Sequence, residues 1–88
     1  MKFNKADCIK VNFEDSDCLY AHFENANCYQ AHFENTNLES SDFKDAYNLT
    51  VEQLSEAKTL YGVRNLKTEI EKELREKYPE LLEEPKRK

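Results

Sequence analysis

"AHFENANCYQAHFEN", residues 21–35, contains Ala-His-Phe-Glu-Asn twice, ten positions apart, with Cys28 between the two phenylalanines. Stepping outward from Phe23 by five gives Phe3, Cys8, Phe13, Cys18, Phe23, Cys28, Phe33, Leu38 and Phe43, every one apolar. Two residues before each stands a mostly small one: Met1, Ala6, Val11, Ser16, Ala21, Ala26, Ala31, Thr36 and Ser41. The residue between is almost always polar, as in Asp7, Asn12, Asp17, His22, Asn27, His32, Asn37 and Asp42. A repeat of this length decides the architecture before any single element does.

Neither regular secondary structure explains a five-residue period. On an α-helix five residues advance about 500°, so successive large positions drift by about 140° and no apolar face forms. On one long strand an odd period sends successive large residues to opposite sides. Within each unit, however, the small and large residues are two apart, which is strand spacing for a shared face. Both facts hold if each unit is a short extended segment and the chain turns between units, so that small and large side chains all face one axis.

The pattern (small)-(Asn/Asp)-(large apolar)-x-x resembles the pentapeptide-repeat family. Ala6-Asp7-Cys8-Ile9-Lys10, Ala26-Asn27-Cys28-Tyr29-Gln30 and Thr36-Asn37-Leu38-Glu39-Ser40 match its motif directly, while His22, His32 and the bulky Val11 depart from it. The resemblance covers roughly residues 1–47. It implies a β-solenoid: a right-handed quadrilateral β-helix of about two coils, with four repeats and 20 residues per coil. Phe3, Phe23 and Phe43 would then stack on one side and Phe13 and Phe33 on the opposite side. Cys8 and Cys28, and Cys18 and Leu38, would fill the sides between, because large and small groups must interdigitate to reach interior density. At a coil spacing of about 4.8 Å the repeats build a stub about 10 Å tall.

The chain has 88 residues, enough for one small domain at a size where burying sufficient apolar surface is difficult. It carries 13 Lys+Arg against 18 Asp+Glu, and through Ala46 four lysines stand against nine acids, so the whole excess of −5 lies in the repeat half. That balance argues against binding nucleic acid directly. No apolar run is long enough for a bilayer and no charged segment leads into an apolar one, which predicts a soluble, unexported, cytoplasmic chain without membrane contact. With one glycine and two prolines, all in the second half, the repeats must turn through shallow regular bends or through Asn and Asp.

Residues 48–88 read as a helical cap with a frayed tail. Thr50 and Gln53 make a capping box, Leu49 can staple to Leu54, and Val51, Leu54, Ala57 and Leu60 or Tyr61 share a stripe ending at Gly62 as C′. A second helix is expected over 66–77, with Thr68 and Glu71 as another capping box and Leu66, Ile70 and Leu74 as its stripe. Tyr78-Pro79 stops it, and Leu81 and Leu82 fold back. Such a cap covers one end of the solenoid. At the other end Met1-Lys2-Phe3 enters the repeat at once, so that edge is bare, and it either pairs with a second copy or continues into something longer.

Cys8, Cys18 and Cys28 are ten apart, with no C-x-x-C pair and no histidine at finger spacing, so they are expected as buried thiols filling the core. His22 and His32 point outward from opposite sides of one coil and cannot share a metal. No metal, cofactor or catalytic set is expected, and the lone glycine rules out G-x-G-x-x-G, P-loop and G-x-S-x-G. The acids Asp7, Glu14, Asp15, Asp17, Glu24, Glu34, Glu39, Asp42 and Asp45 should project outward, with Tyr20, Tyr29 and Tyr47 among them.

The favoured function is therefore a non-enzymatic protein-protein interaction scaffold for an unidentified partner, with Glu14, Asp17, Tyr20, Glu24, Tyr29 and Glu34 as its candidate surface. It would form a homodimer through the uncapped N-terminal coil. The resemblance also implies an alternative, because the family includes quinolone-resistance proteins that resemble duplex DNA: a DNA-mimicking inhibitor of a DNA-binding enzyme such as DNA gyrase. An enzyme is disfavoured, since solenoid walls offer no deep pocket. A terminal module of a larger protein is the remaining reading.

Overall fold

A computed structural model describes residues 2–85, so the expectations for Met1 and for the final Lys86-Arg87-Lys88 fall outside the described residues. From Phe3 to Ala46 the chain repeats one local conformation. The carbonyl of each large residue accepts from the N–H three positions on, as in Ala6 to Phe3 at 2.9 Å, Ala26 to Phe23 at 3.0 Å and Ser41 to Leu38 at 3.1 Å. Each bond closes a β-turn whose third residue is left-handed: Lys5, Lys10, Asp15, Tyr20, Asn25, Gln30, Asn35, Ser40 and Asp45 all have φ between 54 and 62°. A five-residue side thus spends two residues turning. The three left extended are too few for a continuous strand, and each side makes a single parallel bridge to the adjacent coil.

Those bridges set the coil length. Lys2 pairs with His22, Asp7 with Asn27, Asn12 with His32, Asp17 with Asn37, His22 with Asp42 and Asn27 with Tyr47, each twenty residues apart in sequence. Inside, Phe3, Phe23 and Phe43 form one stacked column with centroids 5.0 and 4.9 Å apart, and Phe13 and Phe33 form the other at 5.3 Å. The two columns meet edge to face at 5.2–6.4 Å, the arrangement that sets positive ring edges against negative faces. Cys8, Cys18, Cys28, Leu38, Ala21, Ala26 and Ala31 are buried between them. The two hydroxyls in this interior are satisfied, Thr36 Oγ1 donating to the Phe13 carbonyl and Ser41 Oγ to the Leu38 carbonyl, both at 2.7 Å.

Beyond Tyr47 the rhythm breaks at α1 (Val51–Ser55), which begins with the expected Thr50–Gln53 capping box. The helix is much shorter than its apolar stripe predicts. After one turn the chain returns to pairing with the coil beneath: Thr59 bridges Asn37 and Arg64 bridges Asp42, now 22 residues apart. Leu60 thereby lies over Leu38, both fully buried, and the amides of Leu38, Ser40 and Phe43 donate to the carbonyls of Thr59, Tyr61 and Arg64 at 2.9–3.2 Å. Gly62, at φ +72°, is therefore the turn residue of a degenerate repeat and not the C′ of α1. A Cβ there would meet Ser40 Oγ at 3.1 Å.

The second helix, α2 (Thr68–Lys77), buries Leu74, and Leu66 and Ile70 pack on the same core. Its expected Thr68–Glu71 capping box does not form. Lys67 is the N-cap without a side-chain bond, and Glu71 reaches forward to Arg75, at 2.6 and 3.1 Å. Tyr78-Pro79 ends α2 as expected, and a single 3-10 turn, Pro79–Leu82, follows. It folds back, and the Leu81 carbonyl accepts from Leu60 N–H at 2.8 Å.

Candidate interaction surface

Each outer side is shaped by its middle polar residue. Oδ1 of Asp7, Asn12, Asp17, Asn27, Asn37 and Asp42 accepts from the backbone N–H two residues on, at 2.8–3.2 Å. This is the local Asx bond, made by a short carboxylate or amide and mimicked by the Thr59 hydroxyl, which accepts from Tyr61 N–H at 3.1 Å. It fixes the direction in which Ile9, Glu14, Leu19, Tyr29, Glu39 and Lys44 leave the coil. Histidine cannot make it. At His22 and His32 the ring Nδ1 lies 3.2 and 3.4 Å from Oε1 of Glu24 and Glu34 instead.

The six candidate residues do not converge. Glu14 and Glu34 are twenty apart and share one side, whereas Asp17, Glu24 and Tyr29 each occupy another, and Tyr20 sits at a turn. Tyr20 is 62% exposed and Tyr29 47%. Glu14 and Asp17 are exposed, while Glu24 and Glu34 are half-buried beside their histidines. Glu39 departs from the expected outward array: it is buried, because the Thr59–Arg64 return lies over its side of the coil.

Three aspartates face an asparagine amide on the adjacent coil. Asn35 Nδ2 donates to Asp15 at 2.8 Å, Asn37 Nδ2 to Asp17 at 3.3 Å and Asn65 Nδ2 to Asp42 at 2.9 Å. For Asp42, burial alone would raise the carboxyl pKa. The Asn65 bond, the Lys44 amide and the Arg64 charge outweigh burial and hold it below its usual value.

Sequence reasoning placed Tyr29 and Tyr47 outward but missed that Ile9 joins them in an apolar side. Ile9 and Tyr29 are exposed one coil apart, and exposed Tyr47 bridges Asn27 on the same side. The signal was present: the residues after the cysteines are Ile9, Leu19 and Tyr29, where the residues after Phe13, Phe23 and Phe33 are glutamates. It also missed a notch of about 450 Å³ beside α1, lined by Lys10, Gln30, Ala31, His32, Glu34, Glu52, Gln53 and Glu56. There Gln53 Nε2 donates to the carbonyls of Cys28 and Ala31 at 2.8 and 3.0 Å, supplying the donor that an extended segment would have brought.

The thiols are free and buried. Burial raises the pKa of all three; Cys28 is pushed up to about 12, by burial first and by neighbouring Cys8 second. A thiol held protonated is a poor nucleophile and a poor metal ligand. His22 and His32 sit on columns half a coil apart, with Lys2 and Asp42 on one and Asn12 on the other. Among the described residues no three of His, Cys, Asp and Glu are placed to hold a metal ion, and no helix is long and apolar enough to cross a membrane.

The family model for pentapeptide repeats matches residues 16–47, in eight copies. No curated protein and no solved structure matches the chain.

Proposed function

From the premise that this chain belongs to the pentapeptide-repeat family, whose repeats form a right-handed β-helix and whose members are generally non-enzymatic, we propose that it is a cytoplasmic protein-protein interaction scaffold. In this reading residues 1–47 make about two coils of a quadrilateral β-helix, residues 48–88 cap its last coil, and the outer walls take a protein partner. One observation carries the reading: Ile9, Tyr29 and Tyr47 are exposed together on one side of a rigid coil. An apolar strip with polar margins matches the composition of an interface core within a rim, and rigid tyrosines anchor contacts at low entropic cost. Tyr20, Glu14, Asp17, Glu24 and Glu34 would supply polar and charged margins on this and the adjoining sides.

The test is saturable capture of a partner by the intact chain, compared with Tyr29→Ala. The variant should weaken capture at least about tenfold, in keeping with the loss of an anchoring aromatic. A captured partner that ignores Tyr29→Ala and Tyr20→Ala alike removes this surface from the proposal.

The alternative reading, a DNA-mimicking inhibitor of an enzyme such as DNA gyrase, requires stacked negative charge. The column Glu14–Glu34 offers carboxylates on successive coils, whereas Asp15 and Asp17 are each followed by an asparagine. That dilution favours the scaffold reading. A supercoiling assay with excess protein should accordingly show no change in gyrase activity, and inhibition would reverse the ranking.

A further inference from the structure

At the end of the coil that carries Lys2, backbone groups that every later coil pairs lack partners among the described residues. The amides of Asn27, His32, Asn37 and Asp42 donate to the carbonyls of Ala6, Val11, Ser16 and Ala21 in the preceding coil, at 2.9–3.1 Å. One coil earlier, the equivalent amides of Asp7, Asn12 and Asp17 have no acceptor among the described residues. Carbonyls follow the same rule. Those of Glu24, Asn27, Tyr29 and Glu34 receive the amides of Lys5, Cys8, Lys10 and Asp15, and their counterparts Asn4, Asp7, Ile9 and Glu14 receive none from the described residues. Unpaired donors and acceptors in this alternation are a template for another chain.

Charge on this end is split. Lys2, Lys5 and Lys10 lie on its first half-coil with Asp7, and Glu14, Asp15 and Asp17 lie on its second half with no cation. The repeats contain one other lysine, Lys44. The basic half-coil is therefore a property of the edge and is not repeated along the walls.

We infer that this edge binds a second copy of the same chain, end to end, about a two-fold axis perpendicular to the coil. Such an axis reverses strand direction, so free N–H groups of each copy meet free carbonyls of the other in antiparallel pairs. It also makes the contact self-complementary, the commonest closed arrangement for identical chains. With the axis along the diagonal between the two halves, Lys2 and Lys5 of each copy face Asp17 and Asp15 of the other. Phe3, half-buried at the end of its ring column, is then covered by the facing core.

The inference goes beyond the scaffold reading and is tested separately from it. Sedimentation equilibrium of the full chain at low salt should give twice the 10.4 kDa chain mass. Lys5→Glu or Asp15→Lys alone should weaken association about tenfold, and the double swap should restore most of it. Lys58→Glu, which reverses a charge away from this edge, should leave the mass unchanged. Hydrogen exchange at the amides of Asp7, Asn12 and Asp17 should slow as concentration rises. A 10.4 kDa species at every concentration, a dimer indifferent to both swaps, or unprotected edge amides within a dimer would each overturn the inference. None of these outcomes bears on partner capture through Tyr29, so the two readings can fail independently.

Discussion

Phe23 is fully buried, with Phe3 and Phe43 stacked on its two faces and Phe13 and Phe33 meeting it edge-on. Phe23→Asp would place a charge where no cation and no water can reach, a penalty of several kcal/mol that a domain this small cannot absorb. Circular dichroism should show an unfolded chain, while Glu24→Gln, one position on, melts within a few degrees of the parent. Cys28 makes a quieter test. Its usual pKa of 9.0 rises to about 12 on folding, so between those values the unfolded chain releases a proton that the folded chain keeps. Stability is unaffected below that window and falls through it as pH rises, by up to about 1.4 kcal/mol per unit. Denaturant midpoints measured from pH 8 to 11 should drop more steeply for the parent than for Cys28→Ala. Both rings and thiols were legible in the sequence because burial and spacing are the same signal there. The left-handed turns were not: Lys5, Tyr20, Gln30 and Ser40 have no preference for positive φ. A fainter trace exists, since none of the nine turn residues is β-branched and four are Asn or Asp.

At the level of elements, α1 shows how two valid patterns can compete. Thr50 and Gln53 announce its start, and the capping box forms. Its end was misjudged because Leu60 satisfies both a helical stripe and a coil position. The coil wins, since Leu60 over Leu38 comes with a renewed run of backbone bonds from Leu38 to Phe43. Gln53 does more than cap. Its Oε1 accepts from Thr50 N–H at 2.7 Å while Nε2 holds the Cys28 and Ala31 carbonyls. Gln53→Ala removes these three bonds, together with the one Oε1 accepts from the Thr50 hydroxyl at 3.2 Å, and should cost about 1–3 kcal/mol in a urea titration. Thr50→Ala removes the cap alone and should cost about 1 kcal/mol. Equal losses from the two would mean that the bridge from helix to coil contributes nothing. The candidate surface was less legible than the core for a related reason. Sequence identifies which residues leave the coil, but Glu39 is covered by a return that the expected longer helix left no room for.

Across the whole molecule, two different spacings coexist. Bridges up to Tyr47 join residues twenty apart, and those made by Thr59 and Arg64 join residues 22 apart, with α1 taking up the difference. The constant interval within residues 2–47 works like the pitch of a screw thread. Copying any twenty consecutive residues inside it adds one full thread, and each side chain after the copy keeps the compass bearing it had. Copying a single five-residue unit rotates everything downstream by a quarter-turn, setting phenylalanine above cysteine and bringing α1 down over the wrong side. The longer duplication should therefore yield a taller protein that melts at or above the parent temperature, and the shorter one a protein that fails to fold. Genes that lengthen such a chain by slippage would be held to steps of sixty nucleotides.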